Sequence, residues 1–204
     1  MRPLFTATTN PGKLKEIETV YADSDITLKS LKDFPEIKTP EETGATFEEN
    51  SVLKAKYYFE KTGLPTLADD GGLMVDALGG APGVKSHRFL GYEASEVELA
   101  EGIIKQLKGV PKEKRTARLG GTIAFWDGRH IIKSENFVEG YIIEELKEKP
   151  HPGFPYRAIL IIPQFGKLYK DLTYDEHEEI NHRRHNLYSL KPGIIKHLSE
   201  NLPS

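Results

Sequence analysis

The sequence predicts an α/β fold built on one mixed β-sheet with helices packed around it. Strand-like and helical segments alternate early in the chain, and a β-hairpin pattern lies in its middle, so the sheet is not purely parallel. The 204 residues contain no internal repeat, low-complexity tract or long linker. A single continuous domain, residues 1–204, is therefore the simplest organisation.

The first elements predicted along the chain are a strand, a tight loop and a helix. The segment PLFTAT is strand-like, and LKEIETVYA has apolar residues at helical spacing. Asn10 is a good N-cap, and Pro11 suits the first helical turn because its missing N–H would have no helical partner there.

A capping box predicts where the second helix begins. Thr46 is followed three residues later by Glu49, and the helix runs to about Thr62 before Gly63 and Pro65. The segment LPTLA then forms a short strand that delivers two aspartates. The following GGLMVDALGGAPGVKSHRF is too rich in glycine to be a helix.

Ser95 and Glu98 form another capping box, at the start of the helix in ELAEGIIKQLK. The segment TARLGGTIAFWDGRHIIKSENFVEGYI reads as a hairpin, in which Asp127 and Gly128 supply the left-handed turn of a two-residue loop.

The last part of the chain predicts a strand followed by a helical region. The turn-rich HPGFPYRAILIIP leads into the apolar strand AILIIP. Thr173 with Glu176 caps a helical region that carries EHEEINHRRHNLYSL, and Pro192 interrupts or restarts this region.

Composition excludes several classes of function. The chain has 28 Lys and Arg against 31 Asp and Glu, a net charge of −3, so we expect no nucleic-acid partner. It has no cysteine, which excludes disulfides, thiolate metal sites and cysteine nucleophiles. The start of the chain resembles neither a signal peptide nor a membrane anchor. We therefore expect a soluble, cytoplasmic protein with no membrane partner.

The segment TTNPGKLKE joins a strand to a helix and is suited to phosphate binding. It fails the Walker pattern, which needs glycine where Ala7 stands and a hydroxyl where Leu14 stands. Free backbone N–H groups at a helix N-terminus, Gly12 and the ammonium of Lys13 would still favour a phosphate. The alternative is an ordinary connection with a solvated lysine.

The segment LADDGG places Asp69 and Asp70 side by side at the predicted strand end. Two adjacent carboxylates repel, so one should have a raised pKa unless a cation or N–H donors compensate. Mg²⁺ suits such a pair because it takes carboxylate and phosphate oxygens. A carboxylate beside the ion can also accept a proton from water. The alternative is a simple DDGG turn.

Four further carboxylates lie in EETGATFEEN. Glu48 and Glu49 complement the dipole of the second helix, so they need no other role. Glu41 and Glu42 precede that helix by several residues, and the dipole does not explain them.

Three histidines near the C-terminus raise a zinc alternative. His177, His182 and His185 have i, i+5 and i, i+3 spacing, which does not match the i, i+4 pairs typical of zinc sites on helices. The neighbouring Arg183 and Arg184 favour an anionic or carbonyl-rich ligand instead.

Five segments of the chain form one pattern: TTNPGK, EETGATFEENSVLKA, LADDGGLMVDALGGAPGVKSHRF, the loop GFPY and LTYDEHEEINHR. Together they resemble the inosine triphosphate pyrophosphatase family over nearly the whole chain. The resemblance implies an elongated mixed β-sheet with two α/β lobes flanking a central nucleotide-binding cleft, usually as a homodimer. It also implies Mg²⁺-dependent hydrolysis of ITP, dITP and XTP to a monophosphate and pyrophosphate.

The resemblance also assigns roles to residues. Asp70 is the proton acceptor, and Lys13 neutralises the triphosphate. The metal ligands it implies are Glu41, Asp69 and Asp70. The substrate-binding residues it implies are Thr8, Thr9, Asn10, Pro11, Gly12, Lys13, Lys54, Gly71, Phe154, Pro155, Tyr156, Arg157, His177, His182 and Arg183. Among these, Phe154 and Tyr156 would stack on the base, and His182 with Arg183 would recognise a 6-oxo purine.

Departures from the family pattern cluster on the side that contacts the base. The family loop Phe-Gly-Tyr-Asp-Pro is represented by residues 154–158, with Pro155 for glycine and Arg157 for aspartate. Gly71, His177 and Asn181 replace serine, lysine and serine respectively.

Three hypotheses follow. The first is a pyrophosphatase that acts on deaminated purine nucleotides. The second is the same chemistry on another modified nucleotide, which Arg157 would select. The third is a nucleotide-binding protein without turnover, against which the intact Lys13, Glu41, Asp69 and Asp70 argue.

Overall fold

The computed structural model describes residues 2–86 and 88–200, which form an α/β fold with a seven-stranded sheet. The strands are β1 Arg2–Thr6, β2 Ile26–Ser30, β3 Thr66–Val75, β4 Thr116–Trp126, β5 Ile131–Ile142, β6 Leu160–Ile162 and β7 Lys167–Leu168. The α-helices of the described residues are α1 Pro11–Tyr21, α2 Phe47–Thr62, α3 Glu96–Gln106, α4 Tyr174–Ile180 and α5 His182–Glu200.

The sheet is mixed, as the sequence predicted. Its strand order is β2-β1-β3-β4-β5-β6-β7. Strand β1 pairs in parallel with β2, where Leu4 lies opposite Leu28, and in parallel with β3, where Phe5 lies opposite Thr66. The β5–β6 and β6–β7 pairs are antiparallel.

The described residues divide into two compact units. The first comprises residues 2–70, 121–136 and 183–200, and the second comprises 71–86, 88–120 and 137–182. Apolar cores lie within each unit. In the first, α1 and α5 contribute Ile17 and Leu187 to one cluster, and α2 contributes Tyr58 to another. In the second, Ile103 of α3 packs with Ile159 and neighbouring residues.

The predicted helix caps form. Asn10, Ser95 and Thr173 are N-caps, and the last two complete reciprocal capping boxes with Glu98 and Glu176. At α2 the Thr46 side chain accepts from the Glu49 N–H at 3.1 Å, but the Glu49 carboxylate accepts from the Ala45 N–H at 2.6 Å. Only half of that predicted box is therefore present.

Strand β3 is longer than predicted. It continues past Ala68 to Val75, so Asp69 and Asp70 lie in mid-strand and not at a strand end. The glycines after the two aspartates were predicted to prevent a helix. Gly71 and Gly72 instead form part of the strand. A Cβ on Gly72 would lie 1.9 Å from the Ser86 Oγ, so glycine is required by this close approach.

Two turns also differ from the expectation. The hairpin joins β4 to β5, but its loop spans residues 127–130, and of these residues only Gly128 has a positive φ, 93°. The last helical region breaks at Asn181, where ψ is 97°, while Pro192 lies inside α5. The predictions of a two-residue turn and of a break at Pro192 were therefore wrong.

Strand β2 was missed altogether. Its apolar Ile26 and Leu28 alternate with the polar Thr27 and Lys29, as in a half-buried strand, but the segment is only five residues long and was not recognised. Among the described residues, no helix combines the length and the apolar character needed to span a membrane.

Candidate active site

The loop of residues 8–13 is organised by the side chain of Asn10. Its Oδ1 accepts hydrogen bonds from the N–H groups of Gly12, at 2.9 Å, and of Lys13, at 3.2 Å. The Asn10 N–H in turn donates to the Thr8 Oγ1 at 3.1 Å. The N–H groups of Gly12 and Lys13, expected to be free for a phosphate, are thus already capped, and the Lys13 ammonium remains as the candidate group of this loop.

Asp69 is buried and bound on both of its oxygens. Lys13 Nζ donates to Oδ1, and Arg183 Nε donates to Oδ2 at 2.6 Å. Burial alone would raise the pKa of Asp69, but the charges of Arg183 and Lys13 hold it well below its usual range. Asp69 is therefore a fixed anion that positions Lys13 and Arg183.

Glu16 joins this arrangement from α1, although sequence reasoning did not select it. Arg183 Nη1 donates to the Glu16 Oε2 at 2.7 Å, and both side chains are buried. The two residues are 167 positions apart in the chain. The only available signal was a carboxylate at position 16 on the apolar side of α1, next to Ile17 and Val20. The resulting buried chain runs from Glu16 through Arg183 and Asp69 to Lys13.

Lys54 links a second group of acids. Its Nζ donates to the Glu42 Oε1 at 2.8 Å, to the Asp69 backbone carbonyl at 2.8 Å and to the Asp70 Oδ1 at 3.1 Å. The neighbouring Glu41 is exposed. Of the two adjacent glutamates, Glu42 is therefore the one that contacts Lys54. The resemblance had assigned Glu41 as a metal ligand.

Asp70 differs from Asp69 in having an oxygen that is not engaged. Its Oδ2 is buried and has no hydrogen-bond partner in the described part of the chain. Burial raises the pKa of Asp70, Lys54 opposes that rise, and Glu42 adds to it. An available carboxylate oxygen with a raised pKa is suited to bind a cation or to accept a proton.

The side chains around Asp69 and Asp70 carry a net negative charge, which favours the binding of a cation. Lys13, Lys54 and Arg183 are positive, and Glu16, Glu42, Asp69 and Asp70 are negative, which gives 3 − 4 = −1 when all are ionised. A polyphosphate would be repelled by this net charge. A divalent ion on the Asp70 Oδ2 would reverse the sign, and oxygen ligands of this kind are those that Mg²⁺ prefers.

In the second unit, Arg157 is held between aromatic rings. Its guanidinium carbon lies 3.9 Å from the centre of the Phe154 ring and 4.8 Å from that of Tyr169. Its Nη1 lies 3.0 Å from the His177 Nε2. Because a guanidinium only donates, His177 accepts through Nε2 and is a neutral imidazole in this arrangement.

The loop that carries Arg157 is anchored in the core by the buried side chain of Tyr156. Pro155 begins a short 3-10 helix, Pro155–Ala158. Tyr156 is 4 % exposed, and its hydroxyl donates to the Ser86 carbonyl at 2.5 Å. The stacking role expected for Tyr156 does not agree with this burial. Phe154 contacts Arg157 with its ring face and is the remaining aromatic candidate.

Two further residues that the resemblance assigned lie in the second unit. Gly71 is half-buried and directly precedes the crowded Gly72, and His182 is buried at the start of α5. The resemblance paired Arg183 with His182 for base recognition. Arg183 itself belongs to the first unit, where it donates to Asp69 and Glu16.

Comparison with known proteins supports the resemblance. The sequence profile of the Ham1 family matches residues 4–192. A dITP/XTP pyrophosphatase of Geobacillus kaustophilus is 39 % identical over 184 residues, which cover 90 % of this chain and 89 % of the relative. The dITP/XTP pyrophosphatase of Bacillus subtilis is also 39 % identical, over 90 % of this chain and 92 % of the relative.

Solved structures agree with the sequence comparison. A HAM1 protein from Coxiella burnetii superposes with a TM-score of 0.85 at 31 % identity, over 96 % of this chain and 100 % of that one. A nucleoside-triphosphatase described as a dITP/XTP pyrophosphatase, from Mycobacterium abscessus, gives a TM-score of 0.76 at 32 % identity, over 93 % and 99 % of the two chains.

Proposed function

The chain belongs to the Ham1 family, and we propose that it hydrolyses non-standard purine nucleoside triphosphates such as ITP, dITP and XTP to the monophosphate and pyrophosphate. The observation that carries this proposal is the Asp70 carboxylate, buried, bound to Lys54 through Oδ1 and with Oδ2 available. A protein that only binds nucleotides has no evident need for such a group.

The reaction we propose is attack of water on the α-phosphorus. The bond from this phosphorus to the oxygen that bridges to the β-phosphate breaks, and pyrophosphate leaves. Asp70 accepts the proton of the water. Lys13 and Lys54 stabilise the negative charge that grows on the phosphate oxygens, which is where most of the catalysis of such transfers arises.

The residues present fit a divalent metal ion, and we propose Mg²⁺. Asp70 would hold it through Oδ2, together with Glu42, whose contact with Lys54 favours it over the exposed Glu41. Asp69 is a weaker candidate because Lys13 and Arg183 bind both of its oxygens. When bound, the ion supplies positive charge to the phosphates and lowers the pKa of coordinated water.

Base preference is a separate part of the proposal. We propose that Arg157 and His177 determine it, because they form a hydrogen-bonded pair where the family has an acid and a lysine. The guanidinium donates only, so it favours a base edge rich in acceptors, such as a 6-oxo group, and disfavours an exocyclic amine, against which two donors would both lose their partners. A different modified nucleotide with an electron-rich edge is the second candidate.

The experiment that tests the chemistry uses the purified chain with ITP and Mg²⁺, with separate detection of monophosphate and pyrophosphate. Asp70→Asn should lower turnover by about two to four orders of magnitude, in the range expected of a general base. The exposed Asp175→Asn is the matched control and should not change turnover. Tight binding of ITP by the unaltered chain without pyrophosphate release would favour a binding protein instead.

The resemblance also implies a homodimer, which stays a prediction. Sedimentation of the purified chain, whose monomer has a mass of 23.0 kDa, tests it directly.

A further inference from the structure

Asp127, His130 and His197 bring three potential metal-ligating side chains together in the first unit. Asp127 and His130 flank the turn between β4 and β5, and His197 lies near the end of α5. One donor atom from each residue lies within 4.8 Å of the other two. Neither the proposed hydrolysis nor the resemblance gives these residues a role.

The Asp127 carboxylate is fully buried and held in one orientation. Its Oδ1 accepts from the N–H groups of Arg129, at 2.8 Å, and of His130, at 2.6 Å. Its Oδ2 lies 3.1 Å from the His130 Nδ1. Hydrogen bonds of this kind to a ligating carboxylate orient it toward an ion.

His197 contributes a nitrogen that the protein does not satisfy. Its Nδ1 is buried and has no hydrogen-bond partner within residues 2–86 and 88–200. The Glu200 carboxylate lies 3.8 Å away, which is beyond hydrogen-bonding distance. In the tautomer that carries its proton on Nε2, this buried nitrogen presents a lone pair that suits a metal ion.

The two imidazoles are stacked, with ring centres 4.4 Å apart and planes inclined by 21°. A nitrogen lone pair lies in the plane of its ring, so one ring must turn for both to face a single ion. The His130 side chain is 50 % exposed and has room to turn about its Cβ–Cγ bond.

We propose that Asp127, His130 and His197 bind one divalent ion of the zinc class. Two imidazoles and a carboxylate, with a fourth position open to water through the exposed side of His130, are a ligand set that zinc accepts. The bound ion cross-links the β4–β5 turn to α5 and so stabilises the first unit. The site is distinct from the group around Asp70, whose named members are carboxylates, ammonium groups and a guanidinium.

The test is titration of the full chain with Zn²⁺ in a buffer free of phosphate, followed by calorimetry and by the thermal unfolding midpoint. We expect one saturable site and a midpoint that rises with zinc concentration, because the ion binds the folded state. His197→Phe keeps an aromatic ring in the stack and removes the nitrogens. It should weaken binding by more than about tenfold.

Two controls make the result specific. His151→Ala removes an exposed histidine of the second unit and should leave zinc binding unchanged. Asp70→Asn should also retain it, whereas loss of binding in this variant would move the ion to the proposed nucleotide site and overturn the inference. If His197→Phe does not fold, His130→Asn provides the same test from the half-exposed turn. Absence of saturable binding, or equal affinity in the histidine variants, would also overturn it.

Discussion

Arg183 Nε donates a hydrogen bond to the Asp69 Oδ2 at 2.6 Å, and both side chains are at least nine-tenths buried. This contact separates the tasks of the two acids in LADDGG. Asp69 is neutralised from within the protein, whereas Asp70 keeps a buried oxygen without a partner among the described residues. The proposed hydrolysis depends on that difference between the two carboxylates.

The buried ion pairs around Arg183 predict a strong effect on stability. Arg183→Met should lower the free energy of unfolding by about 3–5 kcal/mol, because it removes the buried guanidinium to which both Asp69 and Glu16 are paired. Urea unfolding measures the change. Glu16→Gln alone should cost less, and the double variant should cost less than the sum of the two single ones. Simple additivity would contradict the coupling between Glu16 and Arg183.

Asp69 predicts loss of stability in acid. Its folded pKa is depressed below the unfolded value of about 3.9, so its contribution is complete above that pH and is lost as the pH falls through the folded pKa. Asp69→Asn should be less stable at neutral pH and less sensitive to acid than the unaltered chain. Unfolding free energies between about pH 6 and pH 2 test this, with Asp175→Asn as the exposed control.

Lys54 predicts a shift in the pH dependence of activity. Burial raises the pKa of Asp70, and Asp70 must be ionised to hold the ion or to accept a proton, so turnover should fall in acid as this carboxylate is protonated. Lys54→Met removes the charge that opposes this rise, so the acid limb of the pH profile should move to higher pH. Lys56→Met, on the same helix and exposed, should leave the limb in place. If the acid limb did not move in Lys54→Met, the ionisation of Asp70 would not be what the limb reports.

Arg157 predicts a change in base preference. Arg157→Asp replaces a group that only donates with one that accepts, so it should raise the preference for ITP over XTP, whose base carries one more oxygen acceptor. The ratio of kcat/KM values for ITP and XTP measures the change. The variant also breaks the contact with His177, so Arg157→Lys serves as a control that keeps the charge and loses the planar fork. An unchanged ratio in Arg157→Asp would remove Arg157 from base selection.

The crowding at Gly72 predicts a steric cost. Gly72→Ala places a Cβ 1.9 Å from the Ser86 Oγ and should destabilise the chain by about 1–3 kcal/mol. Gly193→Ala, in α5, places a Cβ 3.0 Å from the flexible end of Ile132 and should be close to neutral. Thermal unfolding of the two variants provides the comparison, and equal midpoints would show that β3 adjusts at Gly72.

Local features of the fold could be predicted from the sequence, since they depend on neighbouring residues. Asn10, Ser95 and Thr173 cap their helices through bonds that span two or three residues. The end of β3 was misjudged because adjacent strands extend it through glycines that are usually unfavourable in a strand.

The residues missed in the candidate site depend on long-range contacts. Glu16 could be recognised only through its contact with Arg183, which lies far away in the sequence. Glu42 could be distinguished from Glu41 only by its contact with Lys54. His130 and His197 lie 67 positions apart in the sequence, so the spacing of histidines gave no signal for them. The resemblance supplied the candidate residues, and the contact with Lys54 is what favours Glu42 in the proposed metal site.

The most direct measurement of the central claim is pyrophosphate release by the purified chain from a panel of ITP, dITP, XTP, ATP and GTP, with and without Mg²⁺. We expect rapid release from ITP, dITP and XTP, much slower release from ATP and GTP, and loss of activity when the metal is removed. Equal turnover of all five nucleotides, or no pyrophosphate from any of them, would contradict it.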